Sequence, residues 1–253
     1  MLLNGKNAVI YGGYGQVGRA VAHGLAAEGA VIHLTGRSRA KLDEVAVGIR
    51  AAGGTVHTAV VDALDEDRVT AHAEEVVESA GSIDISFNAI SLGDVHGTPL
   101  AEMTVEAFER PVVTSARTMF LTTRAAARHM VRQRSGVLLF FGGDDGHDPM
   151  RDYYIGGFQV AIGLVDTLRR QLAAELGPYG VRAVTLQTGG ITETMPEDDR
   201  ELQAIASMIA DKTMLKRAAT FSDVGAVAAF VCSDKARSIT AASINITAGA
   251  VAD

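Results

Sequence analysis

Tryptophan is absent from the 253-residue chain, cysteine occurs once, and aromatic residues make up 5% of it. The lone Cys232 cannot close an internal disulfide and has no C-x-x-C partner for zinc, which fits a reducing compartment; it reads as buried filler in a helix. Apolar runs such as residues 226–232 fall far short of the ~20 residues that span a bilayer, and the N-terminus lacks a charged-then-apolar signal pattern. A cytoplasmic protein without a membrane partner is expected. Base is in deficit, with 23 Lys and Arg against 30 Asp and Glu and a net charge of -7, which argues against nucleic acid as a partner. No Pro-, Gly- or Ser-rich stretch divides the chain, so a single domain over residues 1–253 is expected.

What is present is enough apolar residue, 47%, to bury a sizeable core, arranged as short β-rich runs alternating with helical patterns. Strands are expected at 8–11, 31–34, 56–61, 83–88, 137–141 and 181–187. The intervening helices are expected at 17–28, 39–52, 66–80, about 105–133 and about 153–176. Parallel strands need crossover helices, and helices on both faces make strands continuous apolar runs, as Gly136-Val137-Leu138-Leu139-Phe140-Phe141 is. The predicted fold class is α/β, a doubly wound, Rossmann-like parallel sheet, with ligands at the carboxyl ends of its strands.

Directly after the first strand, Gly12-Gly13-Tyr14-Gly15-Gln16-Val17-Gly18 satisfies G-x-G-x-x-G from Gly13 and then opens a helix. Glycine lets the backbone approach a pyrophosphate, whose charge the N–H groups of a helix start stabilise; the bland alternative is a tight turn. The second strand ends Leu34-Thr35-Gly36-Arg37-Ser38, without the carboxylate that would bind ribose hydroxyls of NAD. Arg37 offers a planar fork suited to the 2′-phosphate of NADP, unless it is simply a solvated surface arginine.

Several further motifs resemble the short-chain dehydrogenase/reductase family, over residues 6–249. Asp62 and Ala63 follow the third strand where the family has the Asp that contacts adenine, and Asn88-Ala89-Ile90-Ser91 stands in place of N-N-A-G. Thr188-Gly189-Gly190-Ile191 resembles the P-G-x-I stretch beside the nicotinamide, with Ile191 as a cofactor contact. Ser233-Asp234, Ile239-Thr240 and residues 244–249 resemble the family's ending. The resemblance implies that Gly12, Tyr14, Gly15, Gln16, Val17, Gly18, Arg37, Asp62, Ala63, Asn88, Ala89, Gly189 and Ile191 hold NADP(H) in preference to NAD(H). The loop departs from the family's T-G-x-x-x-G-x-G at Tyr11 and Gln16.

The family's chemistry uses an Asn-Ser-Tyr-Lys set, and most of it is missing. Aligning Phe108-Glu109-Arg110 with the family's W-D-R puts Ser115 at the Asn position, and Gly142-Gly143 stands where serines are expected. Tyr154 resembles the proton-transferring tyrosine and also a cofactor contact, but the lysine position is then Phe158. Counting from Tyr153 gives Gly157, and six residues beyond Tyr154 is Val160. A tyrosine with no cation beside it is ~0.1% ionised at pH 7, a poor base for oxidising alcohols but still a proton donor. Carbonyl reduction of a small molecule is therefore expected over alcohol oxidation, the alternative being an impaired homologue that serves as a dinucleotide-binding scaffold or sensor.

Asp144, Asp145, His147 and Asp148 lie past the fifth strand, either as substrate contacts or as a charged loop, and lack metal-site spacing. His23, His33, His57, His72, His96 and His129 are scattered and read as structural. Residues 192–214, with Met195, Leu202, Ile205, Met208 and Ile209, resemble the family's substrate lid in position. The helices at 105–133 and 153–176 match those through which the family dimerises, and Ala125, Ala126, Ala127, Ala161, Leu164, Leu168 and Leu172 suit such a contact. A homodimer or homotetramer is expected.

Overall fold

Strand β1 (Asn7–Tyr11) is buried from end to end, the condition of a central strand covered on both faces. The computed structural model describes residues 1–142, 154–193, 195 and 198–252. Within them β1 leads through α1 (Gln16–Ala27), β2 (Val31–Gly36), α2 (Arg39–Ala51), β3 (Thr55–Val60) and α3 (Glu66–Ala80) to β4 (Ile85–Asn88). The second half runs α4 (Val105–Gln133), β5 (Gly136–Gly142), α5 (Gly157–Leu176), β6 (Val181–Gln187), α6 (Arg200–Lys212), α7 (Phe221–Cys232) and β7 (Ala242–Asn245). All pairings are parallel, in the order β3-β2-β1-β4-β5-β6-β7. The order reverses between β1 and β4, which opens a crevice at their carboxyl ends.

Alternation along the strands divides the core in two. Ala8, Ile10, Leu34, Phe87, Leu139 and Leu186 face α1, α2 and α7, where Val21, Leu25, Leu42 and Val224 meet them. Val9, Tyr11, Leu138 and Phe140 face the opposite way, onto Val69 of α3, Met119 of α4 and Val165 of α5. Each fully buried Ile or Leu in these layers contributes about 1.5–3 kcal/mol. Cys232 lies in the first layer, as expected, and burial pushes its thiol up to about 12.

One boundary differs where it matters. The helix expected from residue 153 begins at Gly157, because its N-cap Gly156 sits at φ +52, a conformation that glycine tolerates and a helix does not. Tyr154 therefore lies before the helix. At the start of α5, a Cβ on Gly157 would strike the Phe108 carbonyl and come within 3.0 Å of the Pro111 ring of α4. Pro111 lacks the N–H that would bond one turn back, so α4 has a notch where the two helices cross.

Candidate active site

At the crevice, Gly12 adopts φ +75, and a Cβ there would lie 2.5 Å from the Ala89 carbonyl oxygen. The loop thus passes the end of β4 backbone to backbone, and the Ala89 N–H donates to the Tyr11 carbonyl at 2.9 Å. Gly18 is held close under Gly12, and Gly13 against Leu34, so these glycines shape the loop itself. Gly15 caps α1 with extended backbone, no side chain caps the helix, and no acidic residue lies in the first turn formed by Gln16, Val17 and Gly18. A helix start left bare of competing carboxylates fits the pyrophosphate of a dinucleotide.

Beside it, the Tyr14 ring covers Gly36 at the end of β2, leaving a Cβ on Gly36 2.5 Å from the ring. Lys41 Nζ lies 5.6 Å from the centre of that ring, within cation–π range. Arg37 is exposed and makes no ion pair among the described residues. Lys41 was not singled out by motif; its position one turn into α2, four residues beyond Arg37, was the available signal.

Asp62 accepts a hydrogen bond from the Leu64 N–H at 3.0 Å, which fixes the turn after β3, and Ala63 beside it is buried. Asn88 is buried too: its Oδ1 accepts from the Ile90 N–H at 3.0 Å and its Nδ2 donates to Thr122 Oγ1 at 3.1 Å. Its amide shapes the wall between Ala89 and Gly12. The Thr188 N–H donates to the Gly142 carbonyl at 3.1 Å and brings Gly189 to the same end of the sheet. A Cβ on Gly189 would meet only ordinary contacts at 3.7 Å and beyond, whereas Gly190 is overlain by Ile209 of α6. Ile191 is half-buried against the first core layer. Helix α6 thus rests on the β6 end through Ile209, and the chain returns through Leu215, whose N–H bonds the Ala248 carbonyl at 3.1 Å.

Ser115 is wholly buried in α4, and its Oγ has no hydrogen-bond partner among the described residues. Tyr154 is the opposite, 55% exposed, and its carbonyl accepts from the Gly97 N–H at 2.8 Å. The geometry also separates the two registers: a side chain at residue 157 would collide with α4, whereas the Phe158 ring is accommodated beside His96. Gly143, Tyr153 and the cluster of Asp144, Asp145, His147 and Asp148 lie outside the described residues. The His96 Nε2 lies 2.5 Å from the Asp94 carboxylate, and its ring packs on Phe158 with centroids 5.7 Å apart.

The alanines expected at an intermolecular face are instead turned inward: Ala125, Ala126, Ala127 and Ala161 are buried within the chain. The outer faces of α4 and α5 expose Val113, Phe120 and Val160. Among the described residues no helix is long and apolar enough to cross a membrane, and no group of three His, Cys, Asp or Glu could hold a metal ion.

Comparison with known proteins gives this geometry its kin. A family model described as enoyl-(acyl carrier protein) reductase matches residues 15–250. The chain is 30% identical over 250 residues, 98% of its length and 96% of the relative's, to oxidoreductase asL5 of Sarocladium schorii. It is 28% identical over 247 residues to an L-tagatose-forming galactitol 2-dehydrogenase of Cereibacter sphaeroides, covering 98% and 95% of the two chains. The crystal structure of gox2181 superposes with a TM-score of 0.88 at 25% identity, covering 97% of this chain and 95% of that one.

Proposed function

Because the chain belongs to the short-chain dehydrogenase/reductase family and is an oxidoreductase of that kind, we propose that it is NADP(H)-dependent and reduces a carbonyl of a small molecule. The observation that carries the cofactor reading is the end of β2: an exposed Arg37 with no ion pair among the described residues and a nearby Lys41, with no carboxylate in Leu34-Thr35-Gly36-Arg37-Ser38. Two cations there suit a 2′-phosphate and give no acceptor for the ribose hydroxyls of NAD. The glycine loop from Gly12 to Gly18 and the bare start of α1 would hold the pyrophosphate, with Asp62 and Ala63 at the adenine end and Gly189 and Ile191 at the nicotinamide end.

Bound NADPH would supply a hydride to the carbonyl carbon. Tyr154, exposed at the mouth, donates its hydroxyl proton to the oxygen that becomes the alcohol. With phenylalanine at 158, no ammonium stands four residues on to stabilise the phenolate. That favours giving a proton over taking one. Asn88 holds the wall of the cleft, and Ser115, sealed inside α4, acts only through the helix that carries it.

The assay is NADPH oxidation over a panel of aldehydes and ketones, alongside calorimetric titration with NADPH and NADH. Turnover is expected to fall by about 10²–10⁴ in Tyr154→Phe, and NADPH to bind more tightly than NADH. Turnover unchanged in Tyr154→Phe would remove that residue from the mechanism. Phe158 favours a second reading, a dinucleotide-binding scaffold or sensor; NADPH binding with no turnover, even after Phe158→Lys, supports it. For assembly we favour a homodimer or homotetramer through the outer faces of α4 and α5, where Val113, Phe120 and Val160 are exposed. Light scattering at the monomer mass would refute it.

A further inference from the structure

The loop after β1 is laid flat on the end of β2, and the first side chain it carries falls on a glycine. The Gly13 N–H donates to the Thr35 carbonyl at 2.9 Å, and a Cβ at residue 13 would strike the Leu34 side chain. The next residues of the two segments are thereby set against each other, with the Tyr14 ring over Gly36. A Cβ on Gly36 would lie 2.5 and 2.8 Å from two carbons of that ring and 3.5 Å from the Leu42 side chain of α2. Gly36 is buried, and its carbonyl accepts from the Val61 N–H at 3.1 Å, a bond to the chain after β3 that holds the strand end in place.

The ring is itself held. Tyr14 is half-buried and packs on the first core layer, and Lys41 Nζ stands 5.6 Å from the ring centre. Position 36 matters because the end of β2 is where a dinucleotide-binding fold places the carboxylate that accepts from the ribose hydroxyls of NAD. The two acids of α2 are engaged elsewhere. Glu44 is paired with Arg19 at 2.8 Å, and Asp43 accepts from Thr58 Oγ1 of β3 at 3.1 Å.

We propose that Tyr14 is a specificity-determining residue: its ring fills the volume that a carboxylate at residue 36 needs, so recognition of NAD is closed by packing as well as by the missing acid. The inference rests on the NADP(H) reading above and adds that an acid placed at residue 36 is not enough to turn the site to NADH. The acid alone sets its Cβ against the ring, and seating it costs the ring its packing on the core and its place beside Lys41. With the ring removed, the same carboxylate has the volume it needs. It can then accept from ribose hydroxyls, while its charge repels a 2′-phosphate.

Calorimetric titration with NADPH and NADH tests this. Gly36→Asp should lose NADPH affinity and gain none for NADH. Gly36→Asp with Tyr14→Ala should bind NADH about 10–100-fold more tightly than Gly36→Asp does, the worth of a charge-assisted hydrogen bond. Gly36→Asp with Tyr14→Phe keeps the ring and should gain no more than Gly36→Asp. NADH affinity gained in full by Gly36→Asp alone, gained equally by the two double variants, or gained by neither, overturns the role of the ring and leaves the cofactor reading standing. A wild type that binds NADH as tightly as NADPH overturns the NADP(H) reading, and the selectivity assigned to Tyr14 with it. A second measurement needs no cofactor: Gly36→Ala should lower Tm beside Tyr14 and should not beside Tyr14→Ala. Equal shifts in both backgrounds overturn the packing on which the proposal stands.

Discussion

The two ends of the crevice are built by different means. Around β1, β2 and α1 the determinants are backbone: Gly12 passing the Ala89 carbonyl, Gly15 capping α1, and the Tyr14 ring lying on Gly36. Around β5 and α5 they are side chains delivered by separate segments: Tyr154 and Phe158 from one, Asp94 and His96 from another, Ile209 from α6. Backbone geometry needs glycine at fixed positions, so it tolerates little change, while side chains on loops can be exchanged without disturbing the sheet. At the first end the glycines at 12, 15 and 18 are set by backbone contacts, and at the second the residue four beyond Tyr154 is Phe158, a side chain that can be exchanged without moving the sheet.

Substitution at the first end should therefore be the most damaging. Gly12→Val places a β-branched residue at φ +75 against the Ala89 carbonyl, and NADPH affinity measured by fluorescence titration should fall by roughly 100-fold or more. Normal binding by that variant would show that the loop does not hold the cofactor. Arg37→Ala should weaken NADPH by about 10–100-fold, the worth of a charge-assisted hydrogen bond, and leave NADH unchanged. An equal loss for both cofactors would return Arg37 to a solvated surface residue.

A further contrast with the crevice lies on β2 itself, where it pairs with β3. His33 is stacked on His57 at 5.2 Å, and burial, with His57 and His72 adding to it, pushes its ring down from 6.5 to about 4. The unfolded chain binds a proton at His33 between these values and the folded chain does not. The stability from this group is thus full above about pH 6.5 and is lost as pH falls towards 4. Melting temperature followed from pH 7.5 to 4 should fall through that window, and His33→Leu should flatten the slope; an identical slope in the variant would remove His33 as its source. The smallest effect is expected at Ser115, whose buried hydroxyl has no hydrogen-bond partner among the described residues. Ser115→Ala should raise stability by about 1 kcal/mol, or roughly 2–4 °C in Tm, with turnover unchanged. A large loss of turnover would instead give that hydroxyl a part in the reaction.

Much of the architecture was legible from local pattern. The alternation of Ala8, Val9, Ile10 and Tyr11 between two core layers is what a doubly covered strand must show, and the parallel pairing follows from the crossover helices. The glycine loop was legible for the same reason, since glycine's conformational freedom is a property of the residue itself. Three features were not. The start of α5 depends on Gly156 adopting a positive φ against Met103, a contact between residues far apart in the chain. The inward turn of Ala125, Ala126 and Ala127 depends on how α4 is rotated against the sheet and α5, and small residues suit either face. His96 carried no motif; only the packing of 94–97 against 154–158 places it beside Phe158.

The sequence by itself determined the doubly covered parallel layers, the glycine cradle and the absence of a carboxylate at the end of β2, because each is written in the periodicity, conformational range or identity of neighbouring residues. Tertiary structure alone decided that residue 157 is closed by Pro111 and Phe108, that Lys41 stands at Tyr14, and that Asp94 and His96 meet Phe158. These are meetings between segments of the folded chain, set by how helices cross and loops return, and spacing along a sequence does not encode the distance across a cleft.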